Sequence, residues 1–215
     1  MMFKDRMDAG LKLADKLLKF KDEDCVIIGI PRGGAIIARC IADKLKKPWD
    51  IIVSEKIGAP FNKEIAIGAV CQDGSYILNK NIIKYYGISR DYIDSETKKK
   101  VSDAAKRLKE YRGVIYFPDI EGKTVILSDD GIATGYTFTA AINSLKNHGA
   151  KRIIGAVPVA STEAINLLKK NIEGIVCAEV SEEFMSVRSF YENFKQNTDE
   201  DIINLFKQEN IKRFV

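Results

Sequence analysis

The tightest constraint on this chain is the stretch Thr124-Val125-Ile126-Leu127-Ser128-Asp129-Asp130-Gly131-Ile132-Ala133-Thr134-Gly135-Tyr136-Thr137. An apolar run of strand character ends in two adjacent carboxylates and passes into a turn of small and hydroxyl-bearing residues. Beyond it, Phe138, Ala141, Ile142 and Leu145 recur at i, i+3, i+4 and i+7, the period of a helix with one buried face. Such a strand–turn–helix brings two chemistries close together. The free N–H groups of Ala133 to Thr137, with the hydroxyls of Thr134 and Thr137, suit a phosphate dianion, because a helix start presents unpaired donors. Asp129 and Asp130 repel phosphate but suit sugar hydroxyls, a metal or a developing positive charge. Phosphate at one end and a diol at the other describe a ribose 5-phosphate. An ordinary acidic surface turn explains the helix period, but not the paired acids followed by two spaced threonines.

The rest of the sequence narrows the class. A chain of 215 residues, 46% hydrophobic and 30% charged, is of ordinary size and composition for one α/β domain, 1–215. A net charge of +4 fits phosphorylated ligands and is too weak to argue for DNA. Cys25, Cys40, Cys71 and Cys177 form no close pair, so neither a disulfide framework nor a zinc site is indicated. With a charged start from Lys4 to Asp8 and no apolar run of spanning length, a cytoplasmic protein without membrane contact is expected. The single histidine, His148, lies beside Gly149 at a helix end. The chain has no G-x-S-x-G, no G-x-G-x-x-G after a strand, and no glycine-rich loop ending in Gly-Lys-Ser/Thr. Serine hydrolases, dinucleotide oxidoreductases and P-loop kinases are thereby disfavoured.

Strand and helix patterns alternate along the chain. A helix is expected over Asp5–Phe20, for packing or dimer contact. A buried strand, Cys25–Ile30, meets the turn Pro31-Arg32-Gly33-Gly34 and a helix through Ile36, Ile37, Cys40 and Ile41. Trp49–Val53 reads as the next parallel strand, closing in Ser54-Glu55-Lys56. Asp73-Gly74 between Ile65–Gln72 and Ser75–Asn79 is a hairpin signal. Asn81 to about Arg112 is helical and polar, with Lys98 to Lys100 as a solvated face. Tyr111–Gly122 is irregular and is the candidate lid. Strands at Arg152–Val157 and Gly174–Val180, with helices at Ser161–Lys170 and Asp199–Glu209, complete the pattern. The expected fold is α/β: a largely parallel open sheet with helices on both faces, an antiparallel flap hairpin, and a helical insertion and lid within about 65–122.

Open α/β sheets bind ligands beyond the carboxyl ends of their strands. That rule gathers Pro31–Gly34, Ser54–Phe61, Ser128–Thr137, Val157–Thr162 and the segment after Val180. The central stretch resembles the phosphoribosyl-pyrophosphate (PRPP) motif of the type I phosphoribosyltransferases: apolar strand, two acids, then a loop ending in Thr-Gly-x-Thr. Ser128 and Gly131 stand where aliphatic residues are common. Phe3-Lys4-Asp5-Arg6, Pro31–Gly34, Glu64–Val70, Tyr111-Arg112-Gly113, Phe190-Tyr191-x-x-Phe194 and Thr198-Asp199-Glu200 are similar to one poorly characterised branch of that family, so the likeness covers nearly the whole chain.

The resemblance implies transfer of the 5-phosphoribosyl group from PRPP to a ring nitrogen of a purine or pyrimidine, with loss of pyrophosphate. It assigns Ala133, Thr134, Gly135, Tyr136 and Thr137 to the 5′-phosphate, and Arg32, Gly33 and Gly34 to the pyrophosphate. Asp129 and Asp130 fall to the ribose hydroxyls, with Lys56 and a lid arginine, Arg112 or Arg107, on the leaving group. Mg²⁺ is implied as a cofactor carried by PRPP, reaching Asp129 or Asp130 through water and otherwise without direct protein ligands. Phe184, Phe190, Tyr191 and Phe194 fall where the family covers the acceptor base, with Tyr191 as a stacking surface; core packing explains them equally well. Ala133 replaces the aspartate of hypoxanthine-guanine enzymes. A homo-oligomer, a dimer, is expected. A non-catalytic regulator that senses PRPP or a nucleotide is the alternative.

Overall fold

The structure, a computed structural model, describes residues 2–213. Eight strands are present among the described residues: β1 (Cys25–Gly29), β2 (Trp49–Ile51), β3 (Ser54–Gly58), β4 (Ala66–Cys71), β5 (Tyr76–Leu78), β6 (Thr124–Ser128), β7 (Arg152–Ser161) and β8 (Gly174–Ser181). The helices are α1 (Arg6–Lys16), α2 (Gly33–Leu45), α3 (Lys80–Tyr85), α4 (Arg90–Arg112), α5 (Tyr136–Asn147), α6 (Thr162–Leu168) and α7 (Asp199–Arg213). Five strands form a wholly parallel sheet in the order β2-β1-β6-β7-β8, and β3-β4-β5 form a separate antiparallel sheet.

Every residue of β1 and β6 is buried, as the central strands of a parallel sheet covered on both faces must be. On one face Leu13 and Leu17, Ile37 and Ile41, and Ile202 pack with Ile27 and Ile126. On the other, Phe138, Ile142 and Leu145 of α5 meet Ile28, Val125 and Leu127. Helix starts follow side-chain oxygens that accept orphan N–H groups: Asp5 from Asp8 at 2.9 Å, Ser89 from Tyr92 at 3.3 Å, and Ser161 from Ala164 at 3.0 Å.

Several boundaries differ from the sequence reading. The first helix stops at Lys16, and Leu18–Phe20 is a separate 3₁₀ turn. The second parallel strand stops at Ile51, and Ser54-Glu55-Lys56 opens β3 of the flap sheet, where it pairs with β4. The flap hairpin around Asp73-Gly74 therefore has a third strand. The helical insertion is two helices, broken at Gly87, whose φ of 60° belongs to the left-handed region. β7 runs on from Val157 to Ser161, because its end is bridged by Ile132. His148 does close α5, its ring stacked on Phe117 and its Nδ1 2.9 Å from the Ser144 carbonyl.

Phe138 tests the coupling between α5 and the sheet. It is wholly buried at the first turn beyond the central loop. Phe138→Ala should cost about 3–5 kcal/mol of stability, measurable as a lowered denaturant midpoint with little change in slope.

Candidate functional site

Strands β1 and β6 pair in register, Gly29 opposite Ser128, so the turns that follow them leave the sheet side by side. Ile30 N–H donates to the Ser128 carbonyl at 2.9 Å. The buried Ser128 hydroxyl lies 3.3 Å from the Gly34 carbonyl and 3.4 Å from that of Ile28. This polar tie explains why a hydroxyl replaces the common aliphatic residue. A Cβ on Gly34 would fall 2.7 Å from the Ser128 carbonyl, and one on Gly33 only 2.0 Å from Oδ2 of Asp130. Both glycines are demanded by close approach. Gly131 is similarly confined, since its Cβ would meet Val187 at 2.7 Å. The Pro31–Arg32 peptide is cis.

Arg32, Gly33, Asp129 and Asp130 line one cavity of about 270 Å³, together with Arg6 and Phe194. Arg6 Nε donates to Asp130 Oδ2 at 2.6 Å, while Arg6 Nη1 donates to the Lys195 carbonyl at 2.7 Å. The guanidinium carbon sits 3.9 Å from the centroid of the Phe194 ring, a cation–π arrangement. Asp129 Oδ1 accepts the N–H of Asp130 at 2.8 Å. Part of Asp129 still meets solvent, yet burial pushes its carboxyl well above the ordinary range, and the neighbouring charge of Asp130 adds to the effect. Arg32 Nη1 lies 3.4 Å from Asp199 Oδ1, which also accepts the Tyr111 hydroxyl at 2.5 Å. The tyrosine hydrogen bond, aided by Arg32, holds the Asp199 carboxyl below its usual range.

The turn that follows the acids is hung on β7. Ile132 N–H donates to Val159, and its carbonyl accepts Ser161 N–H, both at 2.9 Å. The Ser161 hydroxyl donates to the Ala133 carbonyl at 2.6 Å. Ala133 and Thr134 are exposed, and Gly135 takes a φ of 78° just before α5. No protein acceptor meets the N–H groups of Thr134, Gly135, Tyr136 or Thr137 among the described residues, and α5 has no side-chain cap. This is a row of open donors at the start of a 12-residue helix.

Other expected residues lie elsewhere. Lys56 is on the flap, 3.1 Å from the Glu64 carboxylate, and does not line the cavity. Arg112 is the last residue of α4; its side chain is 4% exposed and pairs with Asp50 and with the carbonyls of Val114 and Tyr116. Arg107 pairs with Glu55. A cation matched to a nearby acid is held by that acid, which is why neither arginine faces the crevice here. Tyr191 is 5% exposed, packed on Phe3 and Phe194, with its hydroxyl donating to the Asp130 carbonyl at 2.6 Å. Its surface lies under the acid turn instead of open to a base. Of the residues with no expected role, Arg6 lines the cavity and Asp199 pairs with its Arg32. Only their place in the short terminal motifs hinted at them.

The phosphoribosyl transferase domain model matches residues 5–184. The chain belongs to the phosphoribosyl transferase family. A Mycobacterium tuberculosis protein named, provisionally, as a phosphoribosyl transferase is 31% identical over 94% of this chain. The chain spans 46% of that curated relative's length. The crystal structure of TT1426 from Thermus thermophilus superposes with a TM-score of 0.81 at 36% identity, covering 97% of this chain and 99% of that one. A ribose-phosphate pyrophosphokinase from Marinomonas sp. is 43% identical over 56 residues, 25% of this chain and 18% of its own.

Within this phosphoribosyl transferase domain, no cluster of three His, Cys, Asp or Glu side chains suited to a metal occurs among the described residues. The raised Asp129 carboxyl also makes a stability prediction. The folded state binds its proton more tightly than the unfolded chain, so this contribution is present at low pH and lost as pH climbs above the ordinary value of 3.8 through the raised one. Asp129→Asn should therefore melt above wild type at neutral pH, with the difference closing in acid; thermal melts across pH check it.

Proposed function

We propose that this domain transfers the 5-phosphoribosyl group of PRPP to a ring nitrogen of a purine or pyrimidine base and releases pyrophosphate. The observation that carries the reading is the Asp129–Asp130 pair with the Arg32–Gly34 turn pressed against it, followed in the same loop by open N–H groups at Thr134–Thr137. The N–H groups suit the 5′-phosphate, the acid pair the ribose diol, and the turn the pyrophosphate, with Arg32 as a planar donor.

In the reaction the C1–oxygen bond to pyrophosphate breaks with its electron pair leaving on oxygen. A nitrogen lone pair forms the new bond to C1, and the ring proton is released. Positive charge grows on the sugar as the bond stretches. Asp129 and Asp130, hydrogen-bonded to the hydroxyls, place negative charge beside it, while Arg32 and the turn's N–H groups meet the departing anion. Mg²⁺ bound with PRPP would neutralise part of the pyrophosphate charge, with Asp129 or Asp130 meeting it through water. A homodimer joined through the exposed Met7 and Leu11 of α1 and Leu18 just beyond it is part of this reading. A cytoplasmic setting belongs to the same reading; no helix among the described residues is long and apolar enough to cross a membrane.

One observation favours a second reading, a sensor that binds PRPP or a nucleotide without turnover. Lys56 and Arg112, the cations expected on the leaving group, are both engaged away from the cavity. Incubation with PRPP, Mg²⁺ and a panel of bases should release pyrophosphate with at least one base. Replacing Asp129 and Asp130 together by Asn should lower the rate on the order of 10²–10³-fold. Tight PRPP binding with no turnover across the panel would select the sensor. Calorimetry showing no heat for PRPP or any nucleoside monophosphate, with Thr134→Val behaving as wild type, would overturn both.

A further inference from the structure

Arg6 is a buried cation, 8% exposed, that the reaction as described does not use. Three contacts fix it: Asp130 Oδ2 at 2.6 Å, the Lys195 carbonyl at 2.7 Å and the Phe194 ring at 3.9 Å. Its Nε would lie 2.7 Å from a Cβ on Gly33, so the glycine turn leaves room for this ion pair and for nothing larger. Asp130 is held a second time through its own carbonyl, by the Tyr191 hydroxyl. Each acid thus has one carboxyl oxygen engaged by a protein N–H: Oδ1 of Asp129 by the Asp130 backbone, and Oδ2 of Asp130 by Arg6. The other oxygen of each accepts from no protein N–H among the described residues. These two oxygens are left to accept from hydroxyls, the number that a vicinal diol offers.

Adjacent carboxylates in a partly dry site tend to share a proton, because each anion disfavours the other. The charged groups around this pair are few. Arg6 comes from α1, Arg32 from the β1–α2 turn, and Tyr191 from the tail; Lys195 turns only its carbonyl to Arg6. Of the two arginines only Arg6 touches either acid, for Arg32 reaches to Asp199. We propose that Arg6 is a positioning residue for the diol site: it locks the Asp130 carboxylate in place and keeps the two acids available together as anionic acceptors for the ribose hydroxyls. The first helix thereby becomes part of the diol site. Its effect is felt through Asp130. This rests on the phosphoribosyl reading above, and it specifies how the diol is recognised.

Ribose 5-phosphate, its 2-deoxy analogue and inorganic pyrophosphate, titrated by calorimetry between about pH 5 and pH 8, form the test. Arg6→Met keeps the stem that packs on Phe194 and removes the charge; Arg6→Lys keeps the charge and loses the fork. Arg6 lowers the Asp129 carboxyl, so its removal raises the pH at which a fully ionised pair is reached. Arg6→Met should bind ribose 5-phosphate about tenfold more weakly near neutral pH, with the acid limb of binding moved upward. The preference over the 2-deoxy sugar should shrink, and pyrophosphate affinity should stay as in wild type. Arg6→Lys should keep the wild-type acid limb. Should Arg6→Met not fold, Arg6→Lys decides alone, and an upward-shifted limb in that variant overturns the proposal. An unshifted limb in folded Arg6→Met, or equal weakening of ribose 5-phosphate and pyrophosphate, also overturns it and leaves the phosphoribosyl reading standing. Wild-type protein that binds no ribose 5-phosphate removes both.

Discussion

Two turns pressed together without room for a methyl group are what the rest of this molecule depends on. The glycine turn after β1 and the acid turn after β6 touch because their strands are hydrogen-bonded neighbours, and because Gly33 and Gly34 offer only hydrogen where Asp130 and Ser128 come close. A parallel sheet places the ends of adjacent strands within a few ångströms of each other as a matter of geometry. What chemistry appears there is decided by the residues just past those ends. Here they are amide donors and a guanidinium on one side and two carboxylates on the other, so opposite charges share one shallow cavity.

The electrostatics of that cavity are held in balance by long-range pairs. Asp130 is matched by Arg6, Arg32 by Asp199, and Asp199 also by Tyr111. Asp129 alone has no cationic partner in contact among the described residues, and its carboxyl is the one driven upward. Under the proposed reaction, that is charge in reserve where a sugar cation would develop. The same arrangement disfavours the empty folded state, the familiar conflict between preorganised function and stability.

Much of this is legible in the sequence because it rests on short-range patterns. The α5 period, the Asp-Gly hairpin, the acids at the end of an apolar run and the spaced threonines are all local, and each lies where the sequence puts it. The flap boundary is not legible, because Val53 and Ser54 carry no turn residue between the two sheets. Arg112 and Arg107 lie on the approach to the irregular segment, but nothing local in sequence announces that Asp50 and Glu55 will take them. Arg6 is hidden for the same reason, 124 residues from its partner. Tyr191 stands out as an aromatic, but periodicity does not reveal which way a ring in an irregular segment will turn. Ser128 and Gly131, departures from the family pattern, acquire reasons only in three dimensions: one ties two turns, and the other yields space to Val187.

The parallel bridge between Phe3 and Tyr191 has a consequence for assembly in time. It joins segments far apart in the sequence, as does the bond from Arg6 to Lys195, whose ends are 189 residues apart. Closing loops of that size is slow relative to forming helices and neighbouring strand pairs. During synthesis, α1 must wait on the ribosome for a partner made 189 residues later. A nascent chain paused short of that point could own most of its sheet and still lack a finished crevice, so competence to bind would arrive late and abruptly.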